Sequence, residues 1–180
     1  MPLTPNVAKF IAAKRIINAH HEAGHAVAAV LRGGDVIHIA LGDPTDDGLI
    51  DAEREMVART RHASARPDWP FIAFAGLWAQ WRIETERGDA EDLDLDEWLD
   101  TDRNCQLGEP DPFGDYAMMG YDDDDGIPVA RIEGWQREIE PHWSAIVAVA
   151  AEVLAGHPVS TDTITAILAN TLDGREQEMT

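Results

Sequence analysis

The sequence predicts one mainly helical α+β domain with a small sheet of two or three strands. Three observations support this prediction. Apolar residues recur at helical spacing over several long stretches, one short β-branched stretch lies between glycines, and no linker separates two cores. The 180 residues are 44% hydrophobic and include six Trp, which is enough for one hydrophobic core. We therefore predict a single domain over residues 1–172, followed by a polar tail at 173–180.

The first predicted element is a long helix from Asn6 to Arg32. A Thr-Pro pair at its start is a typical helix-initiation signal, and a Gly-Gly pair follows its end. The next element, Val36–Leu41, is apolar, β-branched and bounded by glycine, so we predict a strand. Turn residues follow at 43–48, and Leu49-Ile50 begins the predicted partner strand.

A second helix is predicted after the Asp-Trp-Pro sequence at 68–70. Apolar side chains between residues 71 and 81 cover nearly all its faces, so we expect it to be buried. An acidic insertion at about 84–126 follows, rich in aspartate, proline and glycine. There we predict irregular chain with one short helix at Leu93–Leu99.

Helical spacing resumes in the last third of the chain. It continues from residue 132 to 156, and Ser160 or Thr161 then caps a last helix. We expect the polar tail from Asp173 onward to fray.

Charge and cysteine content exclude several classes of function. The chain carries 34 Asp and Glu against 14 Lys and Arg, a formal net charge of −20. This charge disfavours nucleic acid and anionic membranes, and it favours cationic or loosely structured polypeptides as partners. The single cysteine, Cys105, excludes an internal disulfide and a cysteine-based zinc cluster. Charged residues interrupt the N-terminal apolar stretch, so we predict no signal peptide, no membrane span and a cytoplasmic location.

One motif inside the first helix indicates chemistry, the His-Glu-x-x-His pattern of His21-Glu22-Ala23-Gly24-His25. Residues four apart share one helix face, so both imidazoles can reach one zinc ion. The intervening glutamate lies beside the metal, where it can accept a proton from a water whose pKa the metal lowers to about 7. Chance gives this pattern about 0.02 times in a chain of this length and composition. His21 and His25 are therefore predicted zinc ligands and Glu22 the general base; the competing interpretation is two surface histidines.

Gly24 lies within this motif, where glycine costs about 1 kcal/mol relative to alanine. Such a glycine usually marks the close approach of another backbone. We expect either a segment that brings in the third ligand or an ordinary helix crossing.

Residues 21–27, HEAGHAV, resemble the zinc motif of the FtsH-type zinc metallopeptidases, a family of membrane-anchored, ATP-dependent proteases. Residues 74–80, FAGLWAQ, are similar to a helix of that family that begins Ala-Gly and ends in acidic residues, with Gln80 in place of an acid. The resemblance covers about residues 6–155. Because the sequence contains no Walker A motif and no predicted membrane span, it resembles a stand-alone peptidase domain of zincin-like helical fold.

The resemblance implies that the third zinc ligand is a distant aspartate at the start of a helix. Asp115 and Asp92 both fit this pattern, since each follows a glycine-containing stretch. We favour Asp115 because apolar residues follow it and can anchor the helix, namely Tyr116, Met118 and Met119. Asp92 lies among other carboxylates, which is typical of a solvated surface. The remaining alternatives are Asp94, Asp96, Glu84 and Glu86.

The sequence therefore predicts a zinc metalloendopeptidase that hydrolyses peptide bonds in unfolded or flexible polypeptides with a zinc-activated water. Val36–Leu41 is expected to lie beside the cleft and pair with an extended peptide, while Tyr116 and His142 are candidates for stabilising the tetrahedral oxyanion. The alternative is a catalytically inactive, metallopeptidase-like interaction module. The presence of Glu22 disfavours that alternative, because an inactive module needs no base. Natural substrate, cleavage preference and oligomeric state stay open.

Overall fold

A computed structural model describes residues 5–41, 58–90, 93–105, 114–120 and 127–178. Within these ranges the chain is mainly helical with one antiparallel two-stranded sheet, as predicted. The elements in chain order are α1 (Pro5–Leu31), β1 (Asp35–Ala40), β2 (Arg59–Ala63), α2 (Trp69–Arg87), α3 (Leu95–Cys105), α4 (Asp115–Met119), α5 (Val129–Ile139), α6 (Trp143–Leu154) and α7 (Thr161–Glu178).

The core is built around the crossing of α1 and α2. Both helices are rich in alanine where they meet, and α2 is buried all round from Phe71 to Ala79, which confirms the prediction for this helix. A Cβ on Gly24 would overlap the Ala75 carbonyl oxygen and lie 2.9 Å from the Ala79 Cβ. Only glycine at this position lets the two backbones approach so closely. The close approach expected at Gly24 is therefore confirmed.

The sheet pairs β1 with β2 in antiparallel register, from Asp35 opposite Ala63 to Ala40 opposite Arg59. The partner strand predicted at Leu49-Ile50 falls outside the described residues. The strand β2 was not predicted, because its sequence, Arg-Thr-Arg-His-Ala, lacks the alternation of apolar and polar residues. It is fixed to α1 by the Thr60 hydroxyl, which donates to the Glu22 carbonyl oxygen at 3.0 Å.

The prediction of uninterrupted helical spacing from 132 to 156 is wrong. A 3-10 turn at Glu140–His142 separates α5 from α6, because Pro141 lacks an amide hydrogen and its ring clashes with the preceding turn. The C-terminal tail also differs from expectation. The helix α7 begins at Thr161, as predicted, but runs to Glu178 instead of fraying from Asp173.

The described parts of the acidic insertion are more helical than predicted. The helix α2 continues to Arg87, α3 is longer than the predicted Leu93–Leu99, and α4 follows as a separate short helix. Three apolar side chains of α3 reach the core, namely Leu95, Trp98 and Leu99. In the described part of the chain, no helix is long and apolar enough to cross a membrane.

Candidate metal centre

Three side chains from two helices bring their donor atoms to one point. The Nε2 atoms of His21 and His25 lie 2.9 Å apart. Asp115 Oδ2 lies 3.0 Å from the first and 3.4 Å from the second. Among the described residues these three form a group that could hold a metal ion. Sequence reasoning therefore named all three members of the group.

Local structure explains why these three residues meet. His21 and His25 are one helical turn apart on α1, so their imidazoles share a face. Asp115 is the first residue of α4, preceded by Gly114 in an extended conformation. The expected apolar anchor is present, since Tyr116 and Met119 are buried in the core.

The tautomers of both histidines are fixed by their second ring nitrogens. Nδ1–H of His25 donates to the Ile72 carbonyl oxygen at 2.8 Å, and a carbonyl can only accept. Nδ1–H of His21 donates to Gln80 Oε1 at 3.1 Å. When both rings are neutral, their Nε2 atoms therefore present lone pairs towards each other and towards the Asp115 carboxylate. Lone pairs this close require a cation between them, either a proton or a metal ion.

A chain of hydrogen bonds holds the Gln80 amide in this orientation. Its Nε2 donates to Glu84 Oε1 at 3.1 Å, and Trp98 Nε1 donates to Glu84 Oε2 at 3.0 Å. A carboxylate only accepts, so the amide oxygen must face His21. Gln80, where the resemblance leads one to expect an acid, thus orients a ligand. Glu84, an alternative ligand in the sequence, is instead occupied with supporting Gln80.

Gly76 provides the space that His25 occupies. A Cβ at this position would overlap the imidazole, lying 2.5 Å from Nε2 and 2.7 Å from Nδ1. The ring of His25 thus packs directly on the backbone of α2. Gly24 thus gives α1 room for the Ala75 carbonyl group of α2, and Gly76 gives α2 room for the His25 ring of α1.

Glu22 is buried beside the triad, with only 4% of the residue exposed. Its Oε2 has no hydrogen-bond partner among the described residues. A buried carboxylate oxygen without a donor is costly, so it is expected to serve a group that the chain itself does not supply. Glu22 also lines the cleft above the triad. This is the position expected of a base that serves a bound water.

Electrostatics couples the members of the triad. Burial alone would lower the pKa of His25, but the Asp115 charge and hydrogen bond outweigh it, with help from Glu22 and the Ile72 carbonyl, and raise the pKa to about 9. Burial would likewise raise the pKa of Asp115, yet the charge of His25 and hydrogen bonds from both histidines hold it well below its usual range. A cation in the centre is thus strongly favoured, and a metal ion would replace the proton.

The donor set fits zinc. Ligand atoms about 2.0–2.1 Å from a tetrahedral zinc ion are about 3.3 Å from one another, close to the observed separations. Two imidazoles and one carboxylate leave a fourth direction, as at catalytic zinc sites. That direction is available because the triad lines an open cleft.

The cleft has a volume of about 590 Å³. One wall is apolar and consists of Trp69, Ile72, Ala73 and Met118. Further lining residues come from β2 and the residue before it, namely Ala58, Arg59, Thr60 and His62. The expectation that Val36–Leu41 lies beside the cleft is wrong, since the cleft-lining strand is β2.

Two other predicted site residues, Tyr116 and His142, are described and do not line the cleft. Asp92 lies outside the described residues. The Tyr116 hydroxyl donates to the Leu99 carbonyl and to Asp102, each at 3.0 Å, which commits it to packing α4 on α3.

One imidazole that sequence reasoning passed over does line the cleft, that of His62. Its Nδ1 is hydrogen-bonded to Ser64 Oγ at 3.0 Å. Burial and the nearby His25 charge lower the pKa of His62, which favours a neutral ring. If residues 59–63 had been predicted as a strand, His62 could have been identified as a candidate site residue.

Comparison with known proteins gives no relative: no protein-family model matches the sequence, no curated protein matches it, and no solved structure matches the fold. The resemblance to the FtsH-type metallopeptidases therefore rests on the residues quoted above.

Proposed function

We propose that the protein is a zinc-dependent metallopeptidase with His21, His25 and Asp115 as zinc ligands and Glu22 as general base. The observation that supports it best is the buried, unpartnered Oε2 of Glu22 beside three converging lone pairs. These three ligands would hold the zinc, which would supply Lewis acidity for a peptide carbonyl and would lower the pKa of a bound water to about 7.

Glu22 is suited to moving the proton in this reaction. Its free oxygen can accept a proton from the attacking water and deliver it to the leaving amine, as in other sites of His-Glu-x-x-His type. The same two-histidine, one-carboxylate donor set also occurs at iron(II) oxygenase sites. An extra carboxylate with no role as a ligand supports hydrolysis over that chemistry.

The cleft supports an extended polypeptide as substrate. Among the described residues β2 pairs with β1 along one edge, and we propose that a peptide adds along its other edge as a further strand. Main-chain hydrogen bonds of this kind need an unfolded or flexible segment and place few demands on sequence. The apolar residues that line the cleft can accept one side chain of that segment.

The second candidate is an interaction module that binds metal without turnover. Gln80, in place of an expected acid, is the observation that favours it. Its hydrogen bond to His21 weakens this case, because Gln80 performs the orienting role itself.

Substitution of Glu22 by glutamine separates the two functions. Glu22→Gln keeps size and shape, so one zinc per chain should remain while turnover of unfolded casein falls by about 10² to 10⁴. The matched control is Glu97→Gln, the same change at an exposed position on α3.

Two outcomes would contradict the proposal. A zinc-loaded wild type that cleaves no unfolded protein would favour the interaction module. Equal turnover by Glu22→Gln and wild type would show that Glu22 is not the base. Zinc content is measured by metal analysis of the purified protein in both cases.

A further inference from the structure

Arg59 is a cation in the wall of the cleft. It is an exposed residue at the start of β2 and shares the cleft with all three proposed ligands. No ion pair joins it to a carboxylate of the described residues. In a chain with a net charge of −20, a guanidinium left unpaired at a binding cleft is unusual.

Other arginines of the described part are engaged with the protein itself. Four make ion pairs with acidic side chains, namely Arg32, Arg82, Arg87 and Arg137. Two lie over tryptophan rings, namely Arg66 and Arg131. In the same part of the chain, Arg61 shares the lack of an ion pair with Arg59 and lies on the same face of β2, but it does not line the cleft.

The charge of the cleft follows from its residues once the proposed zinc is counted, and this step rests on the proposed function. Two carboxylates, Glu22 and Asp115, balance the two positive charges of a zinc ion. Arg59 then leaves the cleft with one positive charge. The cleft is thus locally positive although the whole chain is strongly negative.

We infer that Arg59 binds a carboxylate of the peptide substrate, so that the enzyme selects substrates with an acidic group near the bond that is cut. The planar guanidinium matches a carboxylate with two parallel hydrogen bonds. The apolar lining residues Trp69, Ile72 and Met118 of the same cleft take an apolar side chain of the same peptide. The carboxylate comes either from an Asp or Glu side chain or from the C-terminus of the peptide.

The test measures binding and cleavage separately. Zinc-loaded Glu22→Gln protein is titrated, by fluorescence anisotropy, with two labelled ten-residue peptides capped at both ends. They differ only in a central Leu-Glu or Leu-Gln pair. A third peptide carries Leu-Gln with a free C-terminal carboxylate directly after it. Wild-type protein is assayed for cleavage of the same three peptides.

We expect the Glu peptide, the peptide with the free C-terminus, or both, to bind roughly threefold to fivefold more tightly than the capped Gln peptide at low salt. Which of them gains identifies the source of the carboxylate. Adding Arg59→Ala should remove the difference, Arg59→Glu should reverse it, and 0.5 M NaCl should reduce it. Adding Arg61→Ala, the matched control, should leave it unchanged.

Equal binding of all three peptides would overturn the inference. So would a loss of preference in the Arg61→Ala protein as large as that in the Arg59→Ala protein, because net charge alone would then explain the preference. These results are distinguishable from failure of the proposed function. Cleavage of all three peptides at equal rates supports the peptidase and refutes the role of Arg59. Preferential binding that depends on Arg59, without cleavage by the wild type, supports the carboxylate site and refutes the peptidase. Absence of binding of all three peptides refutes the role of Arg59, and turnover of unfolded casein then decides whether the proposed peptidase function holds.

Discussion

Replacement of Gly76 by alanine is expected to abolish tight zinc binding without unfolding α2. The new Cβ would lie 2.5 Å from His25 Nε2 and 2.7 Å from Nδ1. The ring is also fixed to the same helix by its hydrogen bond to the Ile72 carbonyl at 2.8 Å. It can withdraw from residue 76 only by giving up that bond or by leaving its position beside His21.

The required displacement is large on the scale of metal coordination. Heavy atoms in contact are about 3.5 Å apart, so the ring must move by about 1 Å. Zinc sites tolerate deviations of only about 0.2 Å from ideal ligand distances. We therefore expect zinc affinity to fall by at least about 100-fold. Within α2 itself, alanine is favoured over glycine by about 1 kcal/mol, which offsets part of the cost of overpacking.

The assay is a competition titration against a chromogenic zinc chelator, with far-UV circular dichroism to monitor the fold. Gly134→Ala is the matched control, because a Cβ at Gly134 on α5 meets nothing within 4 Å. It should keep wild-type affinity. A folded Gly76→Ala protein with unchanged zinc affinity would refute the proposed arrangement of His25 against α2.

Four further results are expected. Gln80→Ala should weaken zinc binding by about 10- to 100-fold in the same titration, and Gln80→Glu should restore most of it, because the acceptor for His21 Nδ1–H returns. Asp115→Ala should lose tight zinc binding, whereas Asp94→Ala should lose only a helix cap on α3, worth about 1 kcal/mol in thermal unfolding. Because the pKa of His25 is raised to about 9 in the metal-free site, zinc must displace a proton below that pH, so affinity should fall about tenfold per unit as pH is lowered from 9 to 7. The raised pKa of His25 has the opposite effect on the stability of the metal-free protein. After treatment with a chelator, protonated His25 should add to the free energy of unfolding below pH 6.5, and this contribution should be lost as pH rises through about 9. Urea unfolding at both pH values measures the difference.

The sequence allowed the three converging residues to be predicted partly from local spacing and partly from the resemblance, which implied a distant aspartate that opens a helix. Helical spacing alone places His21 and His25 on one face. Asp115 was distinguished from Asp92 by the apolar residues that follow it, and burial of Tyr116 and Met119 bears out that reasoning. Gly24 was expected to mark a close approach, but only the structure shows that Gly76 accommodates the imidazole of His25.

The residues that sequence reasoning missed depend on contacts between distant segments. The strand β2 is polar and is held by pairing with β1 and by the hydrogen bond from Thr60 to α1. Its burial pattern alternates, yet its inward residues are Thr60 and His62, so no apolar periodicity marks it. Gln80 orients His21 across 59 positions of sequence. Neither relation has a signature within a local window.

The net charge leads us to expect cationic polypeptides as partners, whereas the proposed role of Arg59 implies an acidic group on the substrate. At physiological ionic strength the screening length is about 8 Å, so exposed charges farther away contribute little inside a cleft. What a bound peptide meets there is the sum of a few nearby groups: the metal, Glu22, Asp115 and Arg59. A chain of net charge −20 can therefore favour cationic polypeptides during encounter and still select a carboxylate at the bond that it cuts. If both effects operate, added salt should slow the association of basic substrates. It should also weaken the Arg59-dependent preference for a carboxylate, and the two salt effects should be independent.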